Sequence, residues 1–159
     1  DAFFEKNKDK KFDVIFIDGL HTYEQVRKDV VNAIRSLKKG GWIAMHDMLP
    51  RNWVEQHVPN ISNTAWIGDC WKTAFELAAT PGIDLKVFEI DHGVAAFRLT
   101  QDNPQLKDMR STLDNAQFSY FVENRSQLPI AKWESIYDWI RSPATSTAAN
   151  VGGDALLRQ

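Results

Sequence analysis

The segment Phe12–Asp47, FDVIFIDGLHTYEQVRKDVVNAIRSLKKGGWIAMHD, decides the fold of this chain. It begins with FDVIFI, a short apolar run rich in β-branched and aromatic residues, which is typical of a strand covered on both faces in a parallel sheet. Apolar residues then recur at intervals of three and four and predict a helix over Tyr23–Leu37. A second buried strand follows at Trp42–Met45. We therefore predict a strand, helix, strand unit with parallel strands and a right-handed crossover.

The ends of this helix carry their own signals. Thr22 stands three residues before Gln25, which is the capping-box spacing. Lys38 and Lys39 suit the negative end of the helix dipole, and Gly40-Gly41 offers a left-handed exit into the second strand. These residues place the helix boundaries independently of the apolar pattern.

A long segment without periodicity, Met48–Gly68, follows the second strand and contains prolines and asparagines. We interpret it as a loop with one helical turn at Trp53–His57, and loops of this length are often functional. Asp69 is predicted to cap the next helix. That helix presents four apolar residues to the core, namely Trp71, Ala74, Phe75 and Ala78.

Two further strand-like runs, Leu85–Ile90 and Val94–Leu99, are separated by Asp91-His92-Gly93, which has the composition of a hairpin turn. They add one antiparallel edge hairpin to the parallel strands. The predicted fold class is therefore α/β, an open parallel sheet with this hairpin at its edge and helices after it.

The remaining chain divides at about residue 100. Residues 101–141 are predicted to form a helical extension, with one helix starting at Asn103-Pro104 and carrying Leu106, Met109 and Leu113. A final amphipathic helix is marked by Ile130, Trp133, Ile136, Tyr137 and Ile140. The exposed faces of these helices suit packing between subunits of a homo-oligomer. Residues 142–159 are small, polar and aperiodic, and we predict a disordered tail.

Composition narrows the partners. The net charge of −2 lacks the basic excess that binding to a phosphate backbone requires, so nucleic acid is not an expected partner. No apolar run reaches the roughly 20 residues that span a bilayer, and the N-terminal stretch DAFFEKNKDKKFD lacks the apolar run typical of a signal peptide. Cys70 is the single cysteine, and we interpret it as a packing residue. We expect a cytoplasmic protein that acts on a small molecule and binds neither nucleic acid nor membrane.

Four side chains with chemical potential follow the two parallel strands: Asp18 and His21 after the first, His46 and Asp47 after the second. Ligands of open parallel sheets bind beyond the carboxyl ends of the strands, and neighbouring strands lie about 4.8 Å apart. We therefore expect these side chains to meet. Each residue taken alone is equally compatible with a structural role, as an acceptor of backbone hydrogen bonds or a helix cap.

Together, these residue types indicate two kinds of chemistry. Carboxylates favour Mg²⁺, Ca²⁺ or Mn²⁺, and imidazole adds affinity for softer divalent ions, so Asp18, Asp47 and His46 are candidate metal ligands. His21 has the ordinary pKa range of a general base near neutral pH and could take a proton from a substrate hydroxyl.

The stretches FIDGLH, LKKGGWIAMHD and WIGDCWK closely resemble small class I S-adenosylmethionine-dependent methyltransferases of methyltransferase family 24. The resemblance runs from Phe3 to about Leu99. It implies that residues 1–100 are the C-terminal half of a Rossmann-like methyltransferase sheet. Phe12–Ile17 would be the fourth strand, Trp42–Met45 the fifth, and the hairpin the antiparallel sixth and seventh pair.

The resemblance also implies residue roles. Asp18 and Asp47 would be metal ligands, Asp18 and His21 catalytic residues, and Asp18 with Gly19 part of the cofactor site. His46 stands where related metal enzymes commonly have an acidic residue. The glycine-rich loop that cradles S-adenosylmethionine in this family has no counterpart here, since the sequence contains no Gly-x-Gly stretch. The resemblance therefore implies that the 159-residue chain alone is inactive.

Methyl transfer to a hydroxyl of a small molecule or sugar is the function that these observations favour. Trp53, Trp66 and Lys72 are further candidates for contact with the substrate. Two other functions stay open: a non-catalytic methyltransferase-like domain, and a metal-dependent hydrolase or oxygenase that uses Asp18, His21 and Asp47. A nicotinamide dehydrogenase is disfavoured, because no dinucleotide fingerprint is present and the hairpin departs from that sheet.

Overall fold

The predicted strand, helix, strand unit forms in a computed structural model that describes residues 2–148. A short helix that the sequence did not indicate, α1 (Ala2–Lys6), precedes strand β1 (Phe12–Ile17). Helix α2 (Tyr23–Ser36) connects β1 to β2 (Leu37–Met45). The two strands are parallel and in register from Val14 opposite Trp42 to Ile17 opposite Met45. The unit thus has the topology expected from its sequence.

The later elements complete one mixed sheet of the described residues. They are α3 (Trp53–Gln56), α4 (Lys72–Ala78), β3 (Ile83–Phe88), β4 (Val94–Leu99), α5 (Arg110–Leu113), α6 (Phe118–Asn124), β5 (Ile130–Ala131) and α7 (Ile136–Arg141). The strand order is β1-β2-β4-β3-β5. Only β4 is antiparallel to its neighbours in this sheet, whereas β1 and β2, and β3 and β5, pair in parallel. The α/β, Rossmann-like fold class is confirmed.

The hairpin differs from the prediction in one respect, because it does not form the edge of the sheet. β4 inserts between β2 and β3, and β5 pairs with β3 on the far side. Two backbone amides of β3 that face outward find acceptors beyond the hairpin: Leu85 N–H donates to Thr147 Oγ1 at 2.7 Å, and Val87 N–H donates to Pro129 O at 3.2 Å. The C-terminal residues therefore cover an edge that the hairpin would otherwise expose.

This covering role changes the interpretation of residues 142–159. Ser146 Oγ accepts a hydrogen bond from Gly82 N–H at 3.1 Å, and the Thr147 side chain is buried. Residues 142–148 therefore pack against the domain and are not part of a disordered tail. Residues 149–159 of that prediction lie outside the described residues.

The helical extension was predicted less well. No helix starts at Asn103-Pro104, and the segment becomes helical only at Arg110. Ile130 lies in β5 and not in the last helix, which begins at Ile136 after a 3₁₀ turn at Trp133–Ser135. Helix propensity and apolar spacing did not predict these boundaries because tertiary contacts with β3 decide them. Among residues 2–148, no helix has the length and apolarity needed to cross a membrane.

Helices α2 and α4 pack against the sheet and form the core with it. α2 buries Tyr23, Val26, Val30 and Ile34, and every residue of α4 is buried, including the predicted Ala74, Phe75 and Ala78. The predicted Trp71, at the N-cap of α4, is fully buried as well. Burial of side chains of this size stabilises the fold by about 1.5–3 kcal/mol each. This core fixes the carboxyl ends of β1 and β2 beneath the loops that follow them.

The other face of β1 is exposed, contrary to the expectation of a strand covered on both faces. Val14 is 66% exposed and Phe16 62% exposed, whereas Ile17 on the opposite face is buried. Among the described residues, β2 alone pairs with β1, so the other edge of β1 has no neighbouring strand. Two large apolar side chains of β1, Val14 and Phe16, therefore stay exposed in the described part of the chain.

Candidate active site

The carboxyl ends of β1 and β2 bring the four predicted residues together. His46 N–H donates to Ile17 O at 3.2 Å, which continues the strand pairing to the point where Asp18 begins the next loop. His21 Nε2 lies 3.5 Å from Asp18 Oδ1, and His21 Nδ1 lies 3.1 Å from Asp47 Oδ2. The two strand ends thus form one polar cluster.

The His21 ring is oriented through its Nδ1 atom. This nitrogen lies 3.2 Å from the carbonyl oxygen of Trp66 as well as 3.1 Å from Asp47 Oδ2. A carbonyl oxygen can only accept, so Nδ1 carries the hydrogen in this arrangement. The neutral ring then keeps its lone pair on Nε2, on the side of Asp18. Nε2 is the atom that can take a proton from a substrate.

The segment Trp66–Asp69 holds the His21 loop from outside. The Trp66 ring stacks on His21, with 5.5 Å between centroids and 21° between planes. Asp69 N–H donates to His21 O at 3.2 Å, and Asp69 Oδ1 accepts from Tyr23 N–H at 2.7 Å. Gly68 permits this approach, since a Cβ atom there would lie 1.7 Å from His21 O. The motif WIGD therefore fixes the position of the candidate base.

These contacts correct the predicted helix caps. The Thr22 side chain makes no capping hydrogen bond, and Gln25 donates to Asp29 at 3.0 Å. Asp69 instead caps α2 through the N–H of Tyr23, although the sequence assigned it to α4. A side chain from a distant loop replaced the local capping box, which sequence spacing cannot show.

Asp47 is the buried carboxylate of the cluster. Burial raises its pKa above the usual aspartate range, and the rings of His46 and His21 oppose that rise. Its backbone has a φ of 65°, a left-handed conformation that is uncommon outside glycine but tolerated by aspartate. Cys70 Sγ donates to Asp47 O at 3.3 Å. Burial holds the pKa of this thiol well above its usual range, which supports its interpretation as a packing residue.

His46 lies between three carboxylates. Its Nδ1 is 3.3 Å from Asp47 Oδ1 and 3.7 Å from Asp18 Oδ1, and its Nε2 is 3.1 Å from Asp91 Oδ2. One ligand atom each from Asp18, His46 and Asp47 lie within 4.8 Å of one another, and among residues 2–148 this is the group with spacing suited to a metal ion. His21 is not part of that group, so the geometry favours His46 as the nitrogen ligand.

The turn between β3 and β4 also reaches the site, which the sequence did not indicate. Gly93 O accepts from Met48 N–H at 3.0 Å, and His92 O accepts from Leu49 N–H at 2.7 Å. The turn thereby brings Asp91 against His46. Its composition was visible as a hairpin signal, but its position beside β2 follows only from the insertion of β4.

The other predicted site residues differ in how close they lie to the cluster. Trp66 lies within the site, whereas Trp53 packs against His57 on the loop and is 46% exposed. Lys72 is 2% exposed and pairs with Asp69 at 2.9 Å. Its ammonium group therefore faces buried partners, Asp69 and the Asp114 carbonyl oxygen, and not the solvent-facing site where a substrate contact was predicted. Gly19 lines, with Asp18, an open cavity of about 440 Å³ along the exposed face of β1.

The four predicted residues of the cluster lie in a segment that matches a known protein family. Residues 1–48 match the family model of methyltransferase family 24, described as a methyltransferase domain. This segment is therefore similar to part of a methyltransferase domain. The methyltransferase match contains Asp18, His21, His46 and Asp47, together with the whole of β1, α2 and β2. Searches of curated proteins and of solved structures gave no significant match.

The pairing of the hairpin is compatible with this similarity. β3 and β4, which the resemblance assigns to the sixth and seventh strands, pair antiparallel as expected. The parts of the cluster contributed by Trp66–Asp69 and Asp91 lie beyond the matched residues. They belong to the cluster by geometry alone.

Proposed function

We propose that this domain transfers a methyl group from S-adenosylmethionine to a hydroxyl of a small molecule or sugar. The observation that supports the proposal is the orientation of His21: Asp47 and the Trp66 carbonyl both face Nδ1, so that Nε2 is left as a base beside Asp18. The match of this segment to a methyltransferase domain supplies the reaction class.

The chain offers part of a place for the cofactor. The cavity beside β1 is lined by apolar side chains and ends at Asp18 and Gly19. A side chain at Gly19 would point toward Asp29, whose carboxylate lies 4.0 Å from the Cβ position. An apolar groove with carboxylates at one end fits a ligand that combines a ring system with hydroxyls and a positive charge. Because the sequence lacks a Gly-x-Gly stretch, the proposal includes that this chain alone does not complete the cofactor site.

The chemistry proposed for the chain concerns the acceptor. When bound, S-adenosylmethionine supplies an electrophilic methyl group on its sulfonium sulfur. His21 Nε2 removes the proton of the acceptor hydroxyl as the new oxygen–carbon bond forms and the sulfur–carbon bond breaks. Asp18 lies 3.5 Å from Nε2 and stabilises the imidazolium that results. General-base catalysis of this kind contributes about 10²–10⁴-fold in rate.

We extend the proposal to a divalent cation held by Asp18, His46 and Asp47. The donor set combines two carboxylates and one imidazole, which suits Mg²⁺, Mn²⁺ or a softer divalent ion. Such an ion would lower the pKa of a coordinated hydroxyl and so assist His21. The same donor set is what a metal-dependent hydrolase or oxygenase would use, and that function remains the second candidate.

Calorimetric titration with S-adenosylmethionine, followed by a methyl-transfer assay on hydroxylated acceptors, tests the proposal in the longest form of the protein that contains this chain. His21→Gln should retain cofactor binding and lower kcat at least about 100-fold. Asp18→Asn should lower kcat as well, whereas Asp9→Asn, a change of an exposed carboxylate outside the cluster, should alter neither quantity.

The alternatives give different results in the same experiments. Cofactor binding without transfer to any acceptor would favour a non-catalytic methyltransferase-like domain. Tight binding of Fe²⁺ without binding of S-adenosylmethionine would favour the hydrolase or oxygenase. Normal turnover in His21→Gln would exclude His21 as the base. Titration of Mg²⁺ and Mn²⁺ into wild type and Asp47→Asn tests cation binding separately. If chelators leave methyl transfer unaffected, a catalytic metal ion is excluded, but the role of His21 as the base is not.

A further inference from the structure

We infer that Asp91 is a positioning residue for His46. The orientation of the ring follows from contacts alone, and only its effect on catalysis rests on the proposed function. Asp91 Oδ2 lies 3.1 Å from His46 Nε2, the shortest of the contacts between this ring and a carboxylate. The opposite nitrogen, Nδ1, faces Asp47 and Asp18. A third segment of the chain thus fixes which ring nitrogen points into the cluster.

The turn that carries Asp91 is held in an unusual conformation. Asp91 and His92 have φ values of 36° and 29°, and Gly93 has a φ of 89°. Left-handed backbone at two successive residues other than glycine is costly and persists where surrounding contacts enforce it. The enforcing contacts come from the segment after Asp47, because Met48 N–H and Leu49 N–H both donate to this turn. The contacts that hold the strained turn therefore come from the two residues that follow the site carboxylate Asp47.

The chemical consequence concerns the tautomer of His46. A neutral imidazole donates from one nitrogen and accepts at the other. Donation from Nε2 to Asp91 leaves the lone pair of Nδ1 directed at the space between Asp18 and Asp47. A histidine that donates its second N–H to a carboxylate is the usual arrangement where the first nitrogen binds a metal ion. Asp91 would thereby prepare His46 to act with the two site carboxylates.

Two substitutions separate this role from an effect on folding. Asp91→Asn and Asp91→Gly both tolerate a positive φ, but only asparagine retains an oxygen that can accept from Nε2. The Asp91 side chain is 66% exposed, so neither change removes core packing. Asp102→Asn, at another exposed aspartate of the chain, is the matched control.

Nitrogen-15 NMR of the His46 ring in the metal-free chain, at an alkaline pH where the ring is neutral, gives the tautomer directly. Wild type and Asp91→Asn should hold mainly the Nε2–H form. Asp91→Gly should lower the ratio of Nε2–H to Nδ1–H by about tenfold, the effect of one lost hydrogen bond to a charged group. A wild-type ring with mainly Nδ1–H, or a ratio unchanged in Asp91→Gly, would overturn the inference.

The consequence for the proposed function is measured separately. In the methyl-transfer assay, Asp91→Gly should lower kcat while the affinity for S-adenosylmethionine stays at the wild-type value, and Asp91→Asn should restore most of kcat. If the tautomer shifts as expected but no methyl transfer is found in wild type, the proposed function fails and the role of Asp91 stands. If transfer is found but the tautomer does not depend on Asp91, only the inference fails.

Discussion

Replacing Gly68 by alanine tests how the WIGD segment holds the candidate base. Gly68 has a φ of 60°, and the new Cβ atom would lie 1.7 Å from His21 O and 2.8 Å from the carbon of the same carbonyl. These are backbone atoms, so no side-chain rotation relieves the contact. The two segments must separate, and the hydrogen bond from Asp69 N–H to His21 O must lengthen or break.

The cost can be worked from these contacts. A residue other than glycine in left-handed backbone costs about 1–2 kcal/mol. Loss of the hydrogen bonds from Asp69 N–H to His21 O and from Tyr23 N–H to Asp69 Oδ1 adds about 1 kcal/mol each. Gly68→Ala should therefore lower the free energy of unfolding by about 3–4 kcal/mol, a large part of the about 5–15 kcal/mol of a typical domain.

Gly40→Ala is the control, because Gly40 has a φ of 76° but no atom within 4 Å of its Cβ position. It should show the backbone cost of about 1–2 kcal/mol alone. Urea denaturation gives the free energy of unfolding of both variants, which should differ by about 2 kcal/mol. Thermal denaturation should show a melting temperature about 4–8 °C lower for Gly68→Ala than for Gly40→Ala. Equal destabilisation by the two substitutions would refute the close packing of Gly68 on His21.

Two further predictions concern buried charges. Asp47→Asn should raise the free energy of unfolding at pH 7, because burial disfavours the charged form of the Asp47 carboxylate. Since the pKa is raised by folding, the stabilisation from protonating Asp47 is complete below its unfolded pKa of about 3.9 and is lost as pH rises through the folded pKa. Urea denaturation from pH 3 to 8 should therefore show wild type and variant converging at low pH, and a less stable variant at pH 7 would contradict the burial argument. Arg98→Met should cost about 3 kcal/mol, because it leaves Asp84 buried without its arginine partner at 2.8 Å. Arg110→Met, at an exposed ion pair, should leave the free energy of unfolding nearly unchanged. Similar losses in both arginine variants would argue against a buried pair.

The strand, helix, strand unit could be predicted because its signals are local. The apolar run of β1 and the periodicity of α2 each depend on residues within a few positions of one another. The predicted left-handed helix exit at Gly40-Gly41 was wrong, because α2 ends at Ser36 with an extended C-cap and Gly40 lies within β2. The helical extension could not be predicted in the same way. Ile130 was assigned to a helix by its spacing, but it pairs with Val87 as a strand, because an edge of β3 needed a partner.

The sequence by itself determined which residue types stand at the ends of β1 and β2, and therefore that two carboxylates and two imidazoles meet there. Its motifs also carry the resemblance to methyltransferase family 24 that residues 1–48 show. Tertiary structure alone decided which contacts the site residues make. It placed Trp66 and Asp47 on His21 Nδ1, moved Asp69 from one helix cap to another, and brought Asp91 to His46. The physical reason is that β1 and β2 pair within one strand, helix, strand unit whose signals are local, whereas the contacts of Trp66, Asp69 and Asp91 join residues 45 or 46 positions apart.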